Sequence, residues 1–260
     1  MKRSILDGIS EPLPTVISDL ITDATIYDSS SSPEARVYFI DKDGGYYLKT
    51  AERGALQREA KMNAYLYSIG LGVRVVSYVS GERDYMLTER AAGEDLTHRK
   101  YLNEPIRLAK TMGKLLRALH ETDTDGCPIV RTPEYIETVE INYTRGVFDQ
   151  ALFGDNQLFT DPDEAYAFFN ENKTLLRADV LIHGDFCLPN IMLDGWRFSK
   201  YIDVGNGGVG DRHIDLFWGA WTLNFNLGTD EYRGVFFDAY GRELIDEVAL
   251  RVVEAAECFG

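Results

Sequence analysis

Asp185, Asn190 and Asp203 fall within one stretch, Leu181–Asp215, which reads LIHGDFCLPNIMLDGWRFSKYIDVGNGGVGDRHID. An acid, an amide five residues on and a second acid in an Asp-Val-Gly turn offer hard oxygen donors, which Mg2+ selects. They also offer a carboxylate able to orient a hydroxyl. That is the equipment of phosphoryl transfer, which needs little covalent help from a protein. It needs the acceptor hydroxyl positioned, a metal on the phosphates and a cation on the phosphate chain. Lys49 at the end of a strand-like run, with Glu59 in the following helical pattern, supplies the cation and a group to fix it. Each piece alone is common. Their order on successive elements carries the inference.

Those elements follow from the pattern of apolar residues. Thr25–Asp28, Arg36–Ile40 and Tyr46–Lys49 read as strands, the last two joined by an Asp43-Gly44-Gly45 turn. Ala55–Ile69 has helical spacing and stops at Gly70; Val73–Tyr78 and Asp84–Thr88 make two more strands. Residues 1–22 are expected to give a brief helix or strand. Beyond Ala91-Ala92-Gly93 the chain turns mainly helical. Pro105–His120 is strongly amphipathic, Thr138–Phe153 more weakly so, and Asp161-Pro162-Asp163 caps a helix over Glu164–Asn170. Asp215–Phe225 is apolar nearly all round and predicts a buried helix, with Asp215 as its cap. Tyr232–Tyr240 and Glu243–Glu257 close the chain as helices. Within the opening stretch, Ile191–Leu193 and a second strand ending at Ile202-Asp203 form a hairpin. The fold class is α+β, with two lobes: residues 1–91 form an antiparallel sheet with one helix, and 92–260 form a mainly helical lobe.

Composition narrows the partners. With 42 Asp plus Glu against 27 Lys plus Arg, the net charge of −15 disfavours nucleic acid and anionic membranes and suits a cationic small molecule. Cys127, Cys187 and Cys258 are dispersed, without a C-x-x-C pair, as expected of reduced thiols in the cytoplasm. Met1-Lys2-Arg3 leads into Asp7 and Glu11, so no signal peptide is expected, and no stretch approaches the roughly 20 apolar residues of a membrane span. Monomer and homodimer are both compatible with the sequence.

The Asp185 to Asn190 spacing followed by a D-x-G turn is the one protein kinases use. More specifically, HGDFCLPNIMLD followed by YIDVG resembles the aminoglycoside phosphotransferases, particularly their 3′/3″ branch. YYLKT, LQREAKM and DRHIDL match that branch too, and the resemblance covers nearly the whole chain. It implies a protein-kinase-like fold, ATP or GTP as donor, Mg2+ as cofactor, and a hydroxyl of an aminoglycoside antibiotic as acceptor, conferring resistance. By position, Asp185 is the catalytic aspartate, while Asn190 and Asp203 hold the metal. Lys49 binds the α/β-phosphates and Glu59 fixes it. Tyr47 matches the aromatic that stacks on adenine, with a core or solvent-facing sheet residue as the alternative. Thr88, Glu89 and Ala91 belong to a linker whose backbone bonds the base edge. Ser31 and Ser32 lie in the loop over the phosphates, which here carries no glycine. His183 braces the catalytic loop, and Cys187 is a small packed residue.

The acceptor side is less constrained. Asp149 and Asp155 occupy the middle segment where such kinases place carboxylates. In the late helix, a glutamate and an aspartate of the 3′ enzymes are replaced by Phe225 and Asn226, with Asp230 and Glu231 soon after. Glu254, Glu257 and the carboxylate of Gly260 remain at the C-terminus. Trp218 and Trp221 are core residues, or one of them faces a sugar ring. Asn206 stands where many members have arginine. A related kinase acting on choline, a sugar, a nucleoside or another antibiotic stays open, as does a nucleotide-binding pseudokinase, although the latter usually lacks one of Lys49, Asp185, Asn190 and Asp203.

Overall fold

A computed structural model describes residues 4–30, 35–154 and 157–260, so Ser31, Ser32 and Asp155 lie outside the described residues. The chain divides into two compact units. The first runs to Glu94 and takes back Met192–Gly205; the second comprises Asp95–Ile191 and Asn206–Gly260.

The first unit is built on β1 (Ser4–Leu6), α1 (Thr15–Ile21), β2 (Thr25–Asp28), β3 (Arg36–Asp41), β4 (Tyr46–Glu52), α2 (Gln57–Ser68), β5 (Val75–Ser80) and β6 (Arg83–Glu89). Its strands pair antiparallel in one six-stranded sheet of order β1-β2-β3-β4-β6-β5. Residues 1–22, expected to give a helix or a strand, give both: β1 extends the sheet edge, and Ile17 and Ile21 of α1 fill its core. The period-two alternation of strands then assigns faces. Tyr38, Ile40, Leu48, Tyr85 and Leu87 pack with α1. Ala51 and Met86, one residue out of phase, pack with Ala60 of α2. Lys49 shares the parity of Ala51, so β4 delivers its ammonium to the α2 side.

The chain continues through β7 (Glu94–Asp95), α3 (Arg99–Leu102), α4 (Pro105–His120), α5 (Arg131–Arg145), α6 (Pro162–Asn172) and β8 (Val180–Ile182). β9 (Ile191–Asp194) and β10 (Arg197–Tyr201) return largely to the first unit, where Tyr201 N–H donates to Leu71 O at 2.9 Å. Then follow β11 (Gly208–Gly210), α7 (Arg212–Leu227), α8 (Arg233–Tyr240) and α9 (Glu247–Ala256). β11 pairs antiparallel with β8, Gly208 opposite Ile182, which fixes the loops after both strands. The core of this unit gathers Tyr135, Val139, Phe153, Phe159, Phe169, Val252, Val253 and Phe259.

Three helices differ from the sequence expectation. In α9 the start moves from Glu243 to Glu247 because Asp246 caps it, accepting from Val248 N–H and Ala249 N–H. α5 runs Arg131–Arg145 instead of Thr138–Phe153, because Pro133 sits in its first turn, where no intrahelical N–H is lost. Gly146, left-handed at φ 67°, ends it. α7 starts earlier than expected and is capped by Asp211, whose carboxylate accepts from His213 N–H at 2.8 Å. Asp215 therefore lies inside the helix, and the helix is not buried all round.

Candidate active site

In the first unit the predicted cation has its partners. Lys49 Nζ donates to both carboxylate oxygens of Glu59, at 2.8 and 3.0 Å, and to Asp203 Oδ1 at 2.7 Å. Burial opposes the charge on Lys49 and is the largest single influence, but Glu59 and Asp203 together outweigh it and hold the ammonium above the ordinary lysine range. Asp203 takes a left-handed φ of 58°, a conformation that costs a non-glycine residue on the order of 1 kcal/mol. Such strain clusters where a side chain must be aimed. Tyr47 on β4 packs its ring 5.3 Å from Phe39, its cross-strand neighbour, so one side of the ring is taken up by the sheet. Thr88 and Glu89 are the last residues of β6, where Glu89 N–H donates to Arg74 O at 3.0 Å, and buried Ala91 follows just beyond.

In the second unit β8 ends at Ile182 and releases the loop His183–Asn190. Gly184 there has φ 79°, and a Cβ on it would come within 2.0 Å of Asn206 O; only glycine lets the two loops approach this closely. Asn190 Nδ2 donates to Asp185 Oδ2 at 2.8 Å and to Asp185 O at 3.0 Å, locking the carboxylate's orientation. Asp185 N–H donates to His183 Nδ1 at 3.3 Å. Asp215, fully buried, accepts from His183 N–H and Gly184 N–H, each at 2.7 Å, and pairs with His120 Nε2 at 3.2 Å. Tyr240 lies behind His120, its hydroxyl 2.9 Å from Nδ1; burial pushes that hydroxyl up to about 12, so it keeps its proton. The loop thus rests on a buried Asp215–His120–Tyr240 column. Cys187 is buried, and burial, reinforced by Asp185 beside it, drives its thiol far above the usual range, so it stays an unreactive packed residue.

The acceptor-side residues divide. Glu257 is held by α5: its Oε1 accepts from the Tyr135 hydroxyl at 2.7 Å. Burial pushes its carboxyl up to about 7; Tyr135, Arg131 and the Trp218 indole oppose the rise, and Asp185 adds to it. Phe259, one residue short of the exposed C-terminal Gly260, is buried and anchors this tail. Asp149 is exposed, and its N–H donates to Cys258 O at 3.3 Å, which sets it against the same tail. Asn226 spends its amide N–H on Thr222 of its own helix, at 2.8 and 3.2 Å. Asp230 and Glu231 are exposed in the short turn after α7, and Glu254 pairs with Arg233 at 3.2 Å.

The chain matches the family model described as the phosphotransferase enzyme family, APH, over residues 29–251. It is 49% identical over 253 residues to a probable aminoglycoside 3′-phosphotransferase of Lactococcus lactis, covering 96% of both chains. The chain belongs to the aminoglycoside phosphotransferase family. It is accordingly a phosphotransferase with an alcohol group as acceptor. A crystal structure of an aminoglycoside 3′-phosphotransferase of type VIII superposes with TM-score 0.74 at 24% identity, covering 89% of this chain and 92% of that one. An aminoglycoside 3″-phosphotransferase of Streptomyces rimosus, solved with ADP and streptomycin, gives TM-score 0.71 at 23% identity over 86% of this chain and 90% of that one. These likenesses establish the protein-kinase-like fold.

Several residues that this phosphotransferase uses to build its site were not singled out by sequence reasoning. Tyr135, Thr222 and Tyr240 are examples. Tyr135 holds Glu257, Thr222 Oγ1 accepts from Leu188 N–H at 3.2 Å, and Tyr240 supports His120. His120 offered a signal: it lies on the otherwise apolar buried face of α4, where a polar ring needs a partner.

Among the described residues no three His, Cys, Asp or Glu side chains gather as a metal site. In phosphoryl transfer Mg2+ is held by one or two carboxylates with phosphate oxygens and water, not by a protein cage. Asn190, its amide N–H committed to Asp185, presents a carbonyl oxygen in the second unit, and Asp203 presents a carboxylate in the first; each is a hard oxygen donor of the kind Mg2+ selects.

Proposed function

We propose that this chain transfers the γ-phosphoryl group of ATP to a hydroxyl of an aminoglycoside, with Mg2+ held by Asn190 and Asp203. The observation that carries this reading is the Asp185 carboxylate, oriented by Asn190 at 2.8 Å in a loop braced on buried Asp215. Asp185 aligns the acceptor hydroxyl and takes its proton as the bond to phosphorus forms. Because the transition state is loose, alignment and field matter more than basicity. Lys49, kept charged by Glu59, neutralises the phosphate chain. Bound Mg2+ would supply further positive charge to the phosphate oxygens. The order of elements around Thr88, Glu89 and Ala91 supports a role for their backbone in holding the adenine edge, and the resemblance assigns the Tyr47 ring to stacking on adenine. Ser31 and Ser32 are assigned to the phosphates on resemblance alone.

Four sets of observations favour a polycationic acceptor. They are the net charge of −15, the Glu257 carboxyl whose ionisation Asp185 opposes, the exposed carboxylates of Asp149, Asp230 and Glu231, and the name of the Lactococcus relative. Asp155, Asn226 and the terminal carboxylate of Gly260 complete the proposed set. A phosphate added to such a drug cancels positive charge on which RNA binding depends, which would confer resistance. Reaction in the cytoplasm fits a protein whose three cysteines are free thiols. In a coupled assay of ADP release with MgATP, an aminoglycoside produces saturable turnover; turnover with choline or a nucleoside and with no aminoglycoside overturns the assignment.

Glu257 gives this reading a pH signature. Its carboxyl ionises near 7, and a bound ammonium favours the ionised form. Raising the pH from about 6 to about 8 should therefore lower the acceptor's KM, and Glu257→Gln should flatten that fall. The stability effect has the opposite sign. A carboxyl whose folded value exceeds its unfolded one costs the folded state as pH rises between the two. Glu257→Gln should thus melt higher than wild type at about pH 8, with the gap closing below the ordinary carboxylate range. A KM profile shared by both proteins would remove Glu257 from the acceptor site.

A further inference from the structure

Three of the aromatic side chains of α7, Trp218, Trp221 and Phe225, lie at i, i+3 and i+7, which puts them on one face. Their rings meet in sequence. Trp218 and Trp221 are edge-on at 5.4 Å and 77°, and Trp221 and Phe225 are parallel at 5.0 Å and 11°. The row is tied to the catalytic loop at its first member, where Cys187 Sγ lies 3.9 Å from Trp218 O. From there it emerges into solvent: Trp221 is 45% exposed and Phe225 71%. Between Trp218 and Phe225 the helix rises about 10 Å. That is far enough to reach past a sugar ring presenting its hydroxyl to Asp185 and touch the ring attached to it.

Two large aromatic rings held parallel and open to water are costly unless something covers them. The surroundings indicate what. Asp230 and Glu231 are exposed in the turn just after the helix, so the platform is apolar in the middle and anionic at its edge. Asn226 beside it turns its amide back to Thr222, so the helix offers a ring face there in preference to an amide donor. An amino sugar has the complementary chemistry, with a C–H face for stacking and peripheral ammonium groups for the carboxylates and the ring quadrupole.

We propose that Trp221 and Phe225 form a stacking platform for the second ring of a multi-ring amino-sugar acceptor, with Asp230 and Glu231 taking its ammonium groups. This rests on the aminoglycoside reading and deepens it, assigning recognition beyond the reacting ring to an aromatic face.

The test is steady-state kinetics on a three-ring aminoglycoside with wild type, Phe225→Leu, Phe225→Tyr and Trp221→Leu, together with light scattering on each. Phe225→Leu and Trp221→Leu are expected to raise the acceptor's KM roughly threefold to tenfold, the span of one aromatic stacking contact, while the KM for ATP stays put. Phe225→Tyr, which keeps the ring, restores the wild-type value. Unchanged acceptor KM in an active enzyme overturns the platform alone. A wild type that turns over no aminoglycoside overturns the underlying reading and the platform with it. A dimer that dissociates on Phe225→Leu with KM unaltered gives the patch to a second copy, and the proposal fails.

Discussion

Asp185→Asn lowers kcat roughly 10²- to 10⁴-fold while leaving ATP affinity, measured by calorimetry, close to wild type. The substitution keeps the shape of the side chain, so the loop keeps its form and Asn190 Nδ2 can still donate to the remaining oxygen, as it does to Asp185 Oδ2 at 2.8 Å. What is lost is the negative charge beside the acceptor hydroxyl and the group that receives its proton. The Lys49–Glu59–Asp203 cluster, made entirely within the first unit, is untouched, which is why nucleotide binding should survive. Because a loose transition state asks little of a base, the loss should fall short of complete abolition of catalysis. Turnover within a few-fold of wild type would remove Asp185 from the reaction. Loss of ATP binding with turnover would mean that the loop, not the proton transfer, had been disturbed.

The parts of this site that a sequence reader can find are those set by short-range rules. α4 was legible over its whole length, because Leu108, Ala109, Met112, Leu116 and Leu119 recur at helical spacing behind Pro105. The Lys49–Glu59 pair was legible through order, since strand parity and one helix carry both groups to the same face of the sheet. α5 was misplaced: it starts at Arg131, seven residues before the expected Thr138, with Pro133 in a first turn where it breaks nothing. Apolar content overstated the burial of α7, whose Trp221 and Phe225 stand in solvent, because a face is decided by what packs on it. The pairing of β8 with β11 and the Tyr240–His120–Asp215 column join residues far apart in the chain, and no local pattern announces them.

Asp215→Ala tests that column and should be the most damaging single change outside the reacting groups. The carboxylate, fully buried, serves His183 N–H, Gly184 N–H and His120 Nε2 at once. Deleting it strands three donors where water has poor access, each costing about 1–3 kcal/mol. A loss of about 3 kcal/mol or more is therefore expected, a large share of the roughly 5–15 kcal/mol that holds a domain folded. The melting temperature should fall by many degrees, and kcat should fall with it although Asp185 is intact, because the loop that aims Asp185 has lost its anchor. His120→Gln removes one of the three contacts and should cost about 1–3 kcal/mol, with a smaller drop in turnover. That grading separates support from chemistry. If Asp215→Ala melted like wild type yet was inactive, the carboxylate would be acting on the substrate itself, and the positioning role assigned to it would be wrong.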